Sequence, residues 1–231
     1  MKNKKVIIES YKLFLNFKNI MIQLTKMEEA LIFGAILGDS HIRKRNSSYN
    51  ISFAHAIRNK DYLLWKAEKL KRLTIPNFEL HYNSSKSSDG LYYFNLAANS
   101  CYKFYHDLIY KSYQKDNKIC YRKTITLELI EYMPAHPLLL VVWFLDDGSI
   151  RNNSFSGKLS TQCFTYEEHK LLQKFLIESF SITTNINISN RIKNQYYLGI
   201  PRKSFEKLTC LIKPYVNEIP TMQYKIKNPL L

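Results

Sequence analysis

The chain has 231 residues, 45% of them hydrophobic, with 34 Lys and Arg against 19 Asp and Glu, a formal net charge of +15. That apolar content over this length suits one large or two small folded domains and excludes wholesale disorder, and the positive excess favours a polyanionic partner, nucleic acid before an acidic membrane surface. The two long apolar runs, 30–38 and 138–145, fall short of the ~20 residues of a membrane span, residues 1–26 show no secretory signal, and Cys101, Cys120, Cys163 and Cys210 have no C-x-x-C or zinc-ligand spacing, so they read as reduced thiols of an intracellular protein.

In chain order, an N-terminal extension (1–27) precedes the run "ALIFGAILGD", which is expected to be a helix ending at the carboxylate of Asp39. Gly34 and Gly38 lie one turn apart on one of its faces, where the missing Cβ atoms let a partner helix come close. Two strand-like pieces follow, "SHIRKR" and "SYNISFAHA", and then a helical stretch, "NKDYLLWKAEKLKRL", with Leu63, Leu64, Ala67 and Leu70 at helical spacing. The strands "NFELHYN" and "LYYFNLA" flank the turn-rich "SSKSSDG", and a helix from about Asn99 to Tyr113 closes the set.

The order then recurs. A second apolar run, "LLLVVWFLDDG", ends in Asp146 and Asp147. It leads into strands "SIRNN" and "GKLSTQC" and the helix "TYEEHKLLQKFLIESF", which Thr165 and Glu168 open as a capping box. Strands "TNINISN" and "QYYLGI" follow, and a helix from near Pro201 is expected to end before Pro214. Asp39-Ser-His-Ile-Arg43 is answered by Asp147-Gly-Ser-Ile-Arg151. The expected fold class is therefore α+β: two pseudo-symmetric αββαββα halves in one chain, 28–124 and 125–231, meeting on the two apolar helices.

A helix C-terminus carries roughly −0.5 of a charge, so a carboxylate there is disfavoured, and two such ends side by side would set Asp39 and Asp147 against both dipoles. A divalent cation resolves the conflict, and carboxylate and carbonyl oxygens suit Mg²⁺ (or Mn²⁺) far better than zinc. Of the two adjacent acids, register aligns Gly38 with Asp146 and Asp39 with Asp147; Asp147 is thus the expected ligand and Asp146 a solvated or supporting acid.

The strands alternate. In "NINISNRIK", Ile186, Ile188 and Ile192 are expected on one face and Asn187, Ser189, Arg191 and Lys193 on the other; "KLSTQC" offers Lys158, Ser160 and Gln162, and "YNISF" offers Asn50 and Ser52. Such side chains can read base edges and phosphates from a major groove, although any antiparallel sheet with one face in water alternates in the same way. Arg43, Lys44, Arg45, His81, Asn83, Lys86, Arg151 and Asn152 complete the candidate DNA contacts.

The two runs "IFGAILGDS" and "LVVWFLDDG" resemble the paired motifs of the single-chain LAGLIDADG homing endonucleases, and the likeness extends over about residues 28–228. The second copy departs from the pattern, with Val142 and Asp146 where the family has glycines. The resemblance implies saddle-shaped antiparallel sheets, a monomer, and Mg²⁺-dependent cutting of both strands of a long asymmetric DNA site to leave 3′ overhangs. It also implies a basic residue near each scissile phosphate, Lys123 in "YRKTI" and Lys225 in "PTMQYKIKN", and a place for Gln162 near the active site. The alternative within the same fold is an intron maturase that holds RNA without cutting DNA. Abundant Lys, Asn, Ile and Tyr with only 6 Gly suggest an AT-rich genome, such as that of a mitochondrion or chloroplast.

Overall fold

The structure is a computed structural model that describes residues 23–45, 48–76, 78–84, 90–151 and 154–227. The N-terminal extension up to residue 22, Lys86 and Asn152 therefore lie outside the described residues, as does the side chain of Arg45.

Helix α1 (Lys26–Leu37) starts at a capping box: the Thr25 hydroxyl accepts from the Glu28 amide, and the Glu28 carboxylate accepts from the Thr25 amide. Strands β1 (His41–Arg45) and β2 (Ser48–Ala56), helix α2 (Lys60–Lys69), and strands β3 (His81–Asn83) and β4 (Leu91–Asn95) follow. Helix α3 (Tyr102–Ile109), the hairpin β5 (Tyr110–Lys115) and β6 (Lys118–Lys123), and the short helix α4 (Leu127–Tyr132) lead to α5 (Pro137–Asp147). Beyond it come β7 (Gly148–Arg151), β8 (Ser154–Leu159), α6 (Tyr166–Phe180), β9 (Asn185–Asn190), β10 (Gln195–Ile200), α7 (Arg202–Val216) and a 3₁₀ segment, Pro220–Lys225.

The duplication read from the sequence is present in the sheets. Each is four-stranded and antiparallel, ordered β1-β2-β4-β3 in the first half and β7-β8-β10-β9 in the second. Between them α1 packs on α5, and almost every side chain of both helices is shielded from water. A Cβ built on Gly34 would stand 2.5 Å from the Leu139 carbonyl oxygen and 3.1 Å from the Val142 Cβ; one on Gly38 would stand 2.6 Å from the Asp146 Cβ. Val142, where the family motif has glycine, fills the space that Gly34 leaves.

Several expectations fail in detail. The helix expected over 99–113 stops at Ile109, and the chain turns into the β5–β6 hairpin. Its two-residue turn, Asp116 and Asn117, has φ of 47° and 58°, the left-handed pair that a tight hairpin requires and that Asp and Asn tolerate. Helix α7 runs through Pro214 to Val216; in the last turn proline removes only the bond to the exposed Cys210 carbonyl, which water can satisfy. On α2 the buried stripe includes Tyr62, Leu63, Lys66 and Ala67, while Leu64 is exposed. The strand expected to run to Lys193 ends at Asn190, so Arg191, Ile192 and Lys193 sit in the turn before β10, with Ile192 96% exposed.

Because the Leu139 carbonyl is backbone within a helix, it cannot yield to a new methyl group without shifting the helix pair. Gly34→Ala is expected to destabilise the protein by about 1–3 kcal/mol through overpacking, read as a lowered midpoint in denaturant with an unchanged slope. A midpoint equal to the wild type would mean that the helices are less closely apposed than described.

Candidate functional site

The two helix ends meet at the bottom of the α1–α5 pair. Asp39 follows the end of α1 with its side chain 51% exposed, and Asp147 is the last residue of α5, half-buried. Burial first, and then the nearby charges of Asp39 and Asp146, push the Asp147 carboxyl up to about 7. The crowding of acids expected at the two helix ends thus appears as a carboxyl that gives up its proton less readily than an ordinary aspartate.

Lys123 and Lys225 come to the same place from the ends of their halves. The Lys123 ammonium donates to the Gly38 carbonyl at 2.8 Å; Lys225 donates to the Leu145 carbonyl at 2.7 Å and the Gly148 carbonyl at 2.9 Å. Each lysine therefore caps the C-terminus of its own half's central helix, which offsets the dipole. Burial lowers both below the ordinary lysine range, against the pull of the surrounding carboxylates. Gln162 lies in the turn after β8, half-buried, beside Cys163, whose thiol feels the charge of Lys123. The Ser160 amide donates to the Asp147 carbonyl at 2.9 Å.

Asp146 is not solvated, as one reading of the sequence allowed. Its side chain is fully buried and accepts from the Lys66 ammonium at 2.7 and 3.0 Å and from the Tyr62 hydroxyl at 2.9 Å. Lys66 is itself completely shielded and also touches the His55 Nε2 at 2.9 Å. An ammonium can only donate, so Nε2 accepts and the proton sits on Nδ1, 3.9 Å from the Asp39 carboxylate. Burial, and next the Lys66 charge, pull His55 down to about 2, and the ring is neutral. Asp39, His55 and Asp146 form a compact group of potential ligands, but the Lys66 cation already occupies the Asp146 end of it.

Neither Lys66 and Tyr62 as partners of Asp146 nor His55 beside Lys66 was foreseen. The available signal was Tyr62 and Lys66, four residues apart on the apolar face of α2, where an unpaired lysine is forbidden, together with a second acid in "LDDG" that the metal reading left without a role. A cleft of about 460 Å³ opens beside the group and is lined by Asp39, His55, Arg58, Asp146, Tyr224 and Lys225 among others.

Cross-strand register locates the candidate DNA contacts. On the first sheet Arg43 lies opposite Asn50, Ser52 opposite Asn95, and His81 opposite Tyr93, which puts Arg43, Asn50, Ser52, His81 and Asn83 on one face. Lys44 lies opposite Tyr49, on the other face. Asn50 and Ser52 are buried, against the expectation of an open polar front, and the Asn50 Oδ1 has no hydrogen-bond partner among the described residues. On the second sheet Arg151, Lys158 and Asn187 gather around Tyr197: Arg151 donates to its hydroxyl at 3.4 Å, Lys158 lies over its ring, and Asn187 is its cross-strand partner. Ser189 is exposed on β9, whereas Arg191 and Lys193 are in the turn beyond it.

A chain built twice around two close-packed helices that deliver one acid each to a shared, lysine-capped centre belongs to the LAGLIDADG DNA endonuclease family, whose model matches residues 29–208. Its relatives include DNA endonuclease I-ChuI of Chlamydomonas applanata, 24% identical over 218 residues that make up 90% of this chain and 97% of that one. They also include the cytochrome b mRNA maturase bI2 of Saccharomyces cerevisiae, 27% identical over 209 residues that make up 87% of this chain and 47% of that one, so this chain spans about half the maturase's length. The homing endonuclease I-WcaI, solved bound to its DNA recognition sequence, superposes with a TM-score of 0.71 at 25% identity, covering 94% of this chain and 92% of that one.

The raised Asp147 sets a pH dependence. Its folded value lies above the ordinary carboxylate value of about 4, so it contributes stability fully below that value and loses it as pH rises through about 7. His55 and His169, lowered by burial, run the other way and cost stability as pH falls below about 6.5. Comparison with Asp147→Asn isolates the acid: in metal-free buffer the melting temperature of the variant is expected to rise relative to wild type between about pH 5 and about pH 8. A constant difference would mean that Asp147 titrates as an ordinary surface carboxylate.

Proposed function

We propose that the protein is a monomeric, Mg²⁺-dependent homing endonuclease that cuts both strands of a long asymmetric DNA site and leaves short 3′ overhangs. The observation that carries this reading is the pairing of Asp39 and Asp147 at the ends of two helices held together by Gly34 and Gly38, both acids supplied by one chain. The donor set fits the metal: hard carboxylate oxygens, with the Asp147 carboxyl raised by burial and by the charges of Asp39 and Asp146, which a divalent cation would offset. Asp39 and Asp147 would hold the ion, which when bound would supply Lewis-acid stabilisation of a phosphodiester under attack.

The protein's own groups do the rest. Lys123 and Lys225, fixed on helix-end carbonyls, place ammonium charge beside the acids, where it favours the negative charge that builds on each scissile phosphate and orders water next to it. Asp146 is a positioning group. It holds the Asp39 amide at 3.4 Å and is locked by Lys66 and Tyr62. The polar sheet faces, with Arg43 and His81 on one and Arg151, Lys158 and Asn187 on the other, would meet the duplex. The halves, 28–124 and 125–231, would each read one half-site. I-WcaI, matched over 92% of its chain, is bound to its DNA recognition sequence in its own structure, which supports duplex DNA as partner. The likeness to the bI2 maturase supports intron RNA as the alternative partner and, with the residue usage, an organelle genome as the source.

Cleavage selection on a randomised duplex library with Mg²⁺ would separate the readings: recurring cut sites establish the nuclease, and their absence with retained RNA binding establishes the maturase. Against a selected site, Asp39→Asn and Asp147→Asn are each expected to abolish double-strand cleavage while changing binding less than about tenfold. Robust Mg²⁺-dependent cutting by either variant would remove that acid from the metal site.

A further inference from the structure

The β5–β6 hairpin has no part in the sheets or in the sequence-level reading of DNA recognition. Its register pairs Lys111 with Arg122, Tyr113 with Cys120 and Lys115 with Lys118, and directly opposed residues share a face. One face of the ribbon therefore carries Lys111, Lys115, Lys118 and Arg122 around Tyr113, with all five exposed. The only acid in the ribbon is Asp116, in the turn.

The other face anchors the ribbon to the catalytic centre. The Tyr110 hydroxyl accepts from the Ile42 amide at 3.2 Å, and Lys123, the last residue of β6, donates to the Gly38 carbonyl. The His106 ring lies against both Tyr110 and Tyr121. From the lysine face, Arg122 at the base pairs with Glu168 at the start of α6, so the base of the hairpin is tied to both halves. A two-stranded ribbon this exposed, with Ile119 68% and Tyr121 47% accessible, buries too little to be explained by its own stability.

We infer that the β5–β6 hairpin is a DNA-binding arm that lays its Lys111–Lys115–Lys118 face along the phosphates flanking the scissile bond served by Lys123. The inference rests on the endonuclease reading and extends it to a surface outside the two sheets. Six residues per strand give a reach of about 20 Å, or roughly six base pairs of duplex rise. Charge complementarity selects the occupant, since a polyanion suits three exposed lysines at this spacing, and the link to Lys123 couples the grip to the cutting site. Contacts of this kind are blind to sequence: they would add affinity and register without choosing bases.

The test uses the full chain with EDTA and a mixed-sequence 40-base-pair duplex, titrated at several salt concentrations. The variants are Lys111→Gln/Lys115→Gln/Lys118→Gln, the matching triple Lys→Arg, and a charge-matched control on the outer helices, Lys174→Gln/Lys203→Gln/Lys213→Gln. At a slope of about −0.9 per neutralised phosphate, the hairpin Gln variant should flatten the salt dependence by about 2–3 units, losing roughly fortyfold less affinity than wild type between ~50 and ~200 mM salt. The Arg variant should keep the wild-type slope, and the control should leave it unchanged, all with unaltered melting temperatures. A wild-type slope in the hairpin Gln variant, or an equal flattening in the control, would overturn the arm. Failure of the wild type itself to bind duplex at low salt would overturn the endonuclease reading and the arm together.

Discussion

Everything in this protein is arranged around the near-contact of two helices. The absence of Cβ atoms at Gly34 and Gly38 lets α1 lie against the α5 backbone at Leu139 and against the Asp146 side chain. Only that closeness brings two carboxylates into one site at the bottom of the pair, and only the duplicated sheets on either side give the site a two-fold surround. A wider helix pair packed by ordinary side chains would have the same topology and no shared centre. The second helix keeps the approach without matching glycines because Val142 fills the notch that Gly34 opens.

The centre concentrates negative charge where helix dipoles already place it, and the fold answers in two ways. Asp146, sealed from water, is paired with Lys66 of the first half, whose ammonium burial disfavours and the Asp146 charge supports; breaking such a pair from one side costs about 3–5 kcal/mol. The same bond therefore ties α2 to α5 across the pseudo-symmetry axis and keeps the second acid of "LDDG" away from the chemistry. Asp39 and Asp147 receive no such partner. The ammonium groups of Lys123 and Lys225 beside them are spent on helix-end carbonyls, so among the described residues the field favours a cation that no ion pair supplies. Stability and function divide between neighbouring carboxylates according to whether a lysine reaches them.

The architecture was legible because repetition is a pattern of spacing: two apolar runs ending in acid, each followed by strand, strand and helix, require no knowledge of side-chain contacts. The pairing of Asp39 with Asp147 was legible for the same reason. What escaped depended on three-dimensional closure. Lys66 sits on the apolar face of α2, where its partner is 80 residues away in sequence. The β5–β6 hairpin was hidden because its strand residues continue a helix-compatible pattern, and its turn, Asp-Asn, lacks the glycine that marks most such hairpins. Alternation misled in "NINISNRIK", where period-two polarity persists past Asn190 although the chain has already turned. It misled again at Asn50 and Ser52, whose side chains share a face with Arg43 and are shielded from water.

Two sets of oxygen and nitrogen donors compete for a divalent ion here: Asp39 with Asp147 across the helix ends, and Asp39 with His55 and Asp146 beside the cleft. The Lys66 ammonium already holds the Asp146 end of the second set, which favours the first as the proposed metal site. Anomalous scattering from Mn²⁺ in crystals of the DNA complex distinguishes them directly. The account expects a peak bridged by the Asp39 and Asp147 carboxylates and none within coordination distance of Asp146. A peak held by Asp146 and His55, with Lys66 displaced, would contradict it.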